Sequence, residues 1–107
     1  MSANTVVSWP SGDCTPIIAT LIEPEALISS LGVQVFRDRD DVDWFVGARF
    51  DCDGVGPVLI MRHVSSPEEL TAIYVDAGVD IHRAEETVRR ALTLDNSDIY
   101  WRRSSSV

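Results

Sequence analysis

The sequence predicts an α+β fold: an antiparallel β-sheet of four to five strands with one short and one longer helix packed on it. Three observations carry this. From Val42 to Cys52 the even positions (Val42, Trp44, Val46, Ala48, Phe50, Cys52) are apolar or small, and the odd ones (Asp43, Phe45, Gly47, Arg49, Asp51) are mostly polar. That is the period of two of a half-buried strand. Pro57 to Val64 is apolar almost throughout before Arg62 and His63, as in a strand covered on both faces. Between the two, Asp53-Gly54-Val55-Gly56 is turn chemistry, so the pair forms an antiparallel hairpin at the centre of the sheet. Finally, Ile81, Ala84, Val88, Ala91 and Leu92 recur at helical spacing and mark one apolar stripe.

The remaining elements follow in chain order. Asn4 to Trp9 suits a short first strand, ended by Pro10-Ser11-Gly12-Asp13. Pro16 to Ile22 is a short apolar run that periodicity cannot settle. Thr20 and the isoleucines favour a strand, although Thr15-Pro16 would also serve as a helix cap and first-turn proline; a strand is assigned. Pro24 to Leu31 reads as a short helix, with proline and Glu25 at its start, Gly32 after its end, and Leu27, Ile28 and Leu31 as its buried face. Val33 to Arg37 is assigned as the strand that leads into the hairpin through the charged connection Arg37 to Asp41. Ser65 to Glu69 is a polar loop with room for one helical turn capped by Ser66. Leu70 to Asp76 is a strand with Thr71, Ile73 and Val75 on one face. Asp80 caps the Ile81–Leu92 helix, and Glu85 with Arg89 and Glu86 with Arg90 form i,i+4 pairs along it. Asp95-Asn96-Ser97 breaks that helix, and Asp98 to Arg102 makes the last strand.

The 107 residues, 45% of them hydrophobic, suit a single domain with its own core, fraying at about residues 1–4 and 103–107. No run of about 18 apolar residues is present, and the first residues lack a basic segment followed by an apolar one. The expected location is therefore cytoplasmic. The net charge is −8, and all nine basic residues are arginine. Such acidity argues against nucleic acid as a partner and permits a basic protein partner approached by electrostatic steering. It also simply keeps a small domain soluble.

Candidate sites are sparse. Asp38, Asp40, Asp41, Asp43, Asp51 and Asp53 fall within 16 positions. Asp38-Arg39-Asp40 begins like a calcium loop, but the sixth position is not glycine and the twelfth is not glutamate. The hairpin instead gathers these carboxylates near its ends, as an acidic recognition surface or a solvated edge. His63 and His82 have no metal-ligand spacing. Cys14 and Cys52 belong to no CxxC, and Cys52 continues an apolar strand face, so both read as buried small hydrophobes. No nucleophile elbow or glycine-rich phosphate loop occurs; no cofactor and no catalytic residue is assigned. Trp44 is assigned to the core. Trp101 is either core or an interface anchor.

The order of elements carries a resemblance. A short helix at Pro24–Leu31 precedes an antiparallel meander holding Phe45-Val46-Gly47. Gly54-Val55-Gly56 then leads to Pro57-Val58-Leu59-Ile60. A helix over Ala84–Leu92 and a polar loop end at Ile99-Tyr100-Trp101. This resembles the small acidic immunity proteins of bacterial polymorphic toxin systems over roughly residues 17–101. The resemblance implies inhibition by binding: neutralising a secreted toxin domain, often a nuclease or nucleic-acid deaminase with a basic cleft. The implied partner-binding residues are Asp38, Asp40, Asp41 and Asp43, then Asp51 and Asp53, with an aromatic anchor such as Trp101. The alternatives are a small ligand-binding or enzyme domain with a pocket between helix and sheet, and a structural subunit that oligomerises through a sheet edge.

Overall fold

The structure, a computed structural model, describes residues 14–39, 44–64 and 70–105. In chain order its elements are β1 (Cys14–Thr20), α1 (Pro24–Leu27), β2 (Phe36–Arg39), β3 (Trp44–Cys52), β4 (Gly56–His63), β5 (Thr71–Asp76), α2 (Ile81–Ala91) and β6 (Ile99–Arg102). Single 3₁₀ turns at Asn96–Asp98 and Arg103–Ser105 flank β6. The strands form one antiparallel sheet of six in the order β2-β3-β4-β5-β1-β6. The α+β class stands as expected, and the strand count is six rather than four to five. The strand assignment for the Pro16–Ile22 run is met by β1, which slots between β5 and β6. The strand expected at residues 4–9 and the helical turn at Ser66 lie outside the described residues.

The expected hairpin is β3–β4, paired from Phe45↔His63 to Cys52↔Gly56; it sits off-centre, with β4 one of the two middle strands and β3 next to the edge strand β2. Gly54 and Gly56 in the hairpin turn sit at φ 84° and 100°, a region that glycine enters without the Cβ clash. One sheet face carries Ile18, Ala48, Val58, Ile60, Ile73 and Val75, which pack with Leu27 and Ile28 after β1 and with Ala84, Val88 and Leu92 of α2 and its C-terminus. As expected, Asp80 caps α2: its side chain accepts a hydrogen bond from the Arg83 N–H at 3.2 Å. α1 stops at Leu27 instead of Leu31. The Ser29 hydroxyl donates to the Ala26 carbonyl at 3.0 Å, the kind of local bond by which serine competes with helix propagation. Gly32, at φ 74°, completes the turn.

Trp44 is a correction. The alternation puts it in the core, yet it is 50% exposed. The cluster beneath the helices reaches β3 only at Ala48, Phe50 and Cys52, so the first residues of the strand run past the covered part of the sheet. Phe45, on the nominally polar parity, is the residue that becomes buried. It meets Phe36 and His63 edge-on, each at 6.0 Å between ring centroids, on the face without a described helix. β2 also begins later than expected, at Phe36. Val33 and Val35 pack as loop against the core, while the charged residues Arg37, Asp38 and Arg39 form an edge strand, where charge protects against unwanted pairing.

Gly47 is required by packing rather than by backbone conformation. The Phe36 ring lies directly over it, and a Cβ there would come within 2.9 Å of Phe36 Cζ and 3.0 Å of the Ile60 carbonyl oxygen. The ring can swing aside, but the backbone of the central strand cannot. Gly47→Ala is therefore expected to destabilise the fold by about 1–3 kcal/mol, the usual cost of overpacking. An unchanged urea midpoint would show that the β3 and β4 backbones shift apart freely to admit the Cβ.

Candidate partner-binding surfaces

The predicted acidic residues do not form one cluster. Asp38 is exposed on β2, opposite Phe45 near the start of β3. Asp51 and Asp53 are exposed at the far end of β3 and in the turn that follows. Six residues of strand separate Phe45 from Asp51, about 20 Å at some 3.4 Å per residue. Asp40, Asp41 and Asp43 lie outside the described residues; the chain carrying them leaves Arg39 and re-enters at Trp44, which are register partners. Trp101 is half-buried on β6, opposite Ala19, with the Arg103 guanidinium 5.5 Å from its ring centroid. β6 and β2 are the two edges of the sheet, so five inter-strand spacings, about 24 Å, separate Trp101 from Asp38. The expected anchor and the expected acidic segment therefore do not meet.

What the structure sets beside Asp38 is apolar. Trp44 (50% exposed) stands next to Val64 (55%), whose N–H donates to the Trp44 carbonyl at 2.9 Å. Exposed large apolar side chains that stand together, unlike scattered ones, mark interaction sites. Leu21, 60% exposed, lies at the same end of the sheet, and Arg62 ties it there. The Arg62 Nε donates to the buried Thr71 hydroxyl at 2.9 Å and Nη2 to the Leu21 carbonyl at 2.7 Å. Thr20, also buried and paired with Thr71, donates to the Asp98 carbonyl at 2.6 Å. This network satisfies the polar groups at the end of the sheet where the apolar core stops. The local charge is mixed: four aspartates and two arginines lie between Arg37 and Asp43.

A second feature lies at the opposite end of β3. An open groove of about 380 Å3 runs between β3, α2 and the turn after α1, and Asp51, Cys52 and Asp53 contribute to its wall. Burial, and secondarily the Asp53 carboxylate, push the Cys52 thiol above its ordinary 9.0. Cys52 is thus a neutral buried side chain at physiological pH, not an activated nucleophile.

A third feature is a cleft of about 310 Å3 between α2, β1 and β6, lined by His82, Glu85, Arg89, Arg102 and Ser104 among others. Its polar groups serve the chain itself. Glu85, only 5% exposed, accepts hydrogen bonds from the Ser104 N–H at 2.8 Å and from the Ser104 hydroxyl at 2.5 Å. Both of its oxygens are engaged, so it is not poised as a free base. Glu85 was expected to pair with Arg89 along the helix. Instead Arg89 bonds Glu86 at 3.1 Å, and Arg90 lies 3.7 Å from the same carboxylate. The reason is the Arg103–Ser105 turn, where fraying was expected. It folds back over α2, and Arg103 Nε also donates to the Pro16 carbonyl at 2.7 Å.

Among the described residues no group of three or more His, Cys, Asp or Glu is placed to hold a metal ion, and no helix is long and apolar enough to cross a membrane. No family model, curated protein or solved structure matches the chain. The fold and its surfaces thus define a class, a two-layer domain of six antiparallel strands and two helices.

Two notable residues escaped the sequence. Trp44 was visible as an aromatic beside an aspartate run, but its strand parity pointed inward. Glu85 carried a helix-surface signature, and nothing local announced its partner nineteen positions away.

Proposed function

We propose that the protein is an immunity-type inhibitor, which binds and neutralises a basic, nucleic-acid-targeting bacterial toxin domain. The observation that carries this is the solvent-exposed pair Trp44 and Val64 at the end of the sheet from which Asp38 and the aspartate-rich link Asp40–Asp43 depart. An aromatic anchor supplies affinity when a partner desolvates it. Carboxylates of the neighbouring chain segment would supply steering and select a partner of opposite charge. The order of elements that resembles immunity proteins supports the same function. Trp44 replaces Trp101 as the favoured anchor, since Trp101 lies at the other edge of the sheet.

The test begins with the product of the neighbouring gene. It is expected to co-purify with this chain at 1:1, and the complex to lose any nuclease or deaminase activity the free partner has. Exchanging Asp40, Asp41 and Asp43 together for Asn should slow association about tenfold at low salt and flatten its salt dependence, as for steered encounters. The melting temperature should barely move. An unchanged rate and salt slope would remove the acidic link from the interface. If the neighbouring product does not bind, the inhibitor proposal fails.

A further inference from the structure

We infer that the groove at the far end of β3 docks one cationic side chain, lysine or arginine, from a basic protein partner. Its floor is apolar: Phe50 from β3, Ala91 from α2 and Leu31 from the turn after α1, all half-buried. Cys52, 8% exposed and with no partner for its thiol among the described residues, closes the wall. A volume of about 380 Å3 lies near the lower limit for ligand pockets, which suits a side chain better than a cofactor. The mouth is acidic. Asp51 and Asp53 are exposed there, and neither carboxylate has a hydrogen-bond or ion-pair partner among the described residues. One cation, Arg90, also lines the groove, but its side chain is 75% exposed and its guanidinium lies 3.7 Å from the Glu86 carboxylate.

An apolar floor with an unpaired acidic mouth complements a side chain with an aliphatic stem and a charged head, which buries the first and keeps the second at the rim. The Cys52 thiol in the wall is pushed up by burial and, secondarily, by the Asp53 carboxylate, so the field of Asp53 reaches into the groove. The same field that disfavours a thiolate favours a cation. The net charge of −8 draws cationic partners to the molecule as a whole. Two aspartates at the mouth of an apolar groove give one of them a place to dock.

The inference rests on the proposal that this protein binds a basic partner, but it is testable without that partner. The probe is n-butylguanidinium, with neutral n-butylurea of nearly the same shape as control, each titrated into ¹⁵N-labelled protein at low salt. Amide shifts are expected at Phe50 to Asp53 and Thr87 to Ala91, with a Kd on the order of 10 mM, as befits so small a ligand. n-Butylurea should bind far more weakly. The double variant Asp51→Asn, Asp53→Asn should weaken n-butylguanidinium binding about fivefold, the scale of an exposed ion pair. Its melting temperature should stay at the parent value. Equal binding of the two probes, undiminished binding by the double variant, or shifts scattered over the whole acidic surface would each overturn the inference. Groove binding together with a neighbouring gene product that fails to bind would leave the groove assignment standing and remove the inhibitor proposal.

Discussion

Leu92→Ala is expected to lower the unfolding free energy by about 2–5 kcal/mol, the range for truncating a buried leucine. Leu92 is 5% exposed and belongs to the cluster that joins α2 to the sheet. Its loss opens a void against Val88 and the strands beneath, and neither layer can close it cheaply. The cost has a transfer part and a cavity part, and the second depends on how far α2 can settle. Arg90 is the internal control. Its side chain is 75% exposed, and its ion pair among the described residues is a 3.7 Å contact with Glu86. Arg90→Ala should therefore change stability by less than about 0.5 kcal/mol. Urea melts of the two variants check the orientation of α2 in one experiment. Comparable losses from both would mean that the helix presents a different face to the sheet.

Under the inhibitor proposal, Trp44→Ala is expected to weaken binding to the proposed partner by about 2–4 kcal/mol, as truncation of an aromatic anchor does. The same substitution should move stability by less than about 1 kcal/mol, because half of the indole is already in water and the side chain lies outside the core cluster. The split between the two numbers is the informative result. Calorimetric titration of the partner gives the first and a urea melt the second. A large stability loss with unchanged affinity would make Trp44 an edge of the core instead of an anchor. Trp101→Ala is the matched comparison: at the opposite edge of the sheet it should leave affinity nearly unchanged.

Much of the fold was legible in local pattern. The β3–β4 hairpin follows from a period of two, an apolar run and a glycine-bearing turn. The α2 helix follows from a stripe at helical spacing and from Asp80 before it. Such signals are local because side-chain direction in a strand or helix depends only on position along that element. The class, the β3–β4 hairpin and the buried side of α2 therefore needed no tertiary information.

What only the tertiary structure decided is how far each layer extends and which residues meet across it. Periodicity assigns Trp44 to the same face as Ala48 and Cys52, and it does lie on that side. Burial also requires something above it, and the helices cover only the stretch from Ala48 to Cys52. Phe45 shows the converse: its parity is outward, yet Phe36 and His63, brought from two other strands, shield it. Glu85 sits in a helix sequence that looks solvated, and the Arg103–Ser105 turn, nineteen residues on, converts it into a buried acceptor. The six aspartates look like one cluster in sequence, but a strand about 3.4 Å per residue long carries two of them to its other end. Sequence order specifies direction along an element; the distance between elements, and hence cover, partner and clustering, arises only when the sheet and helices close on each other.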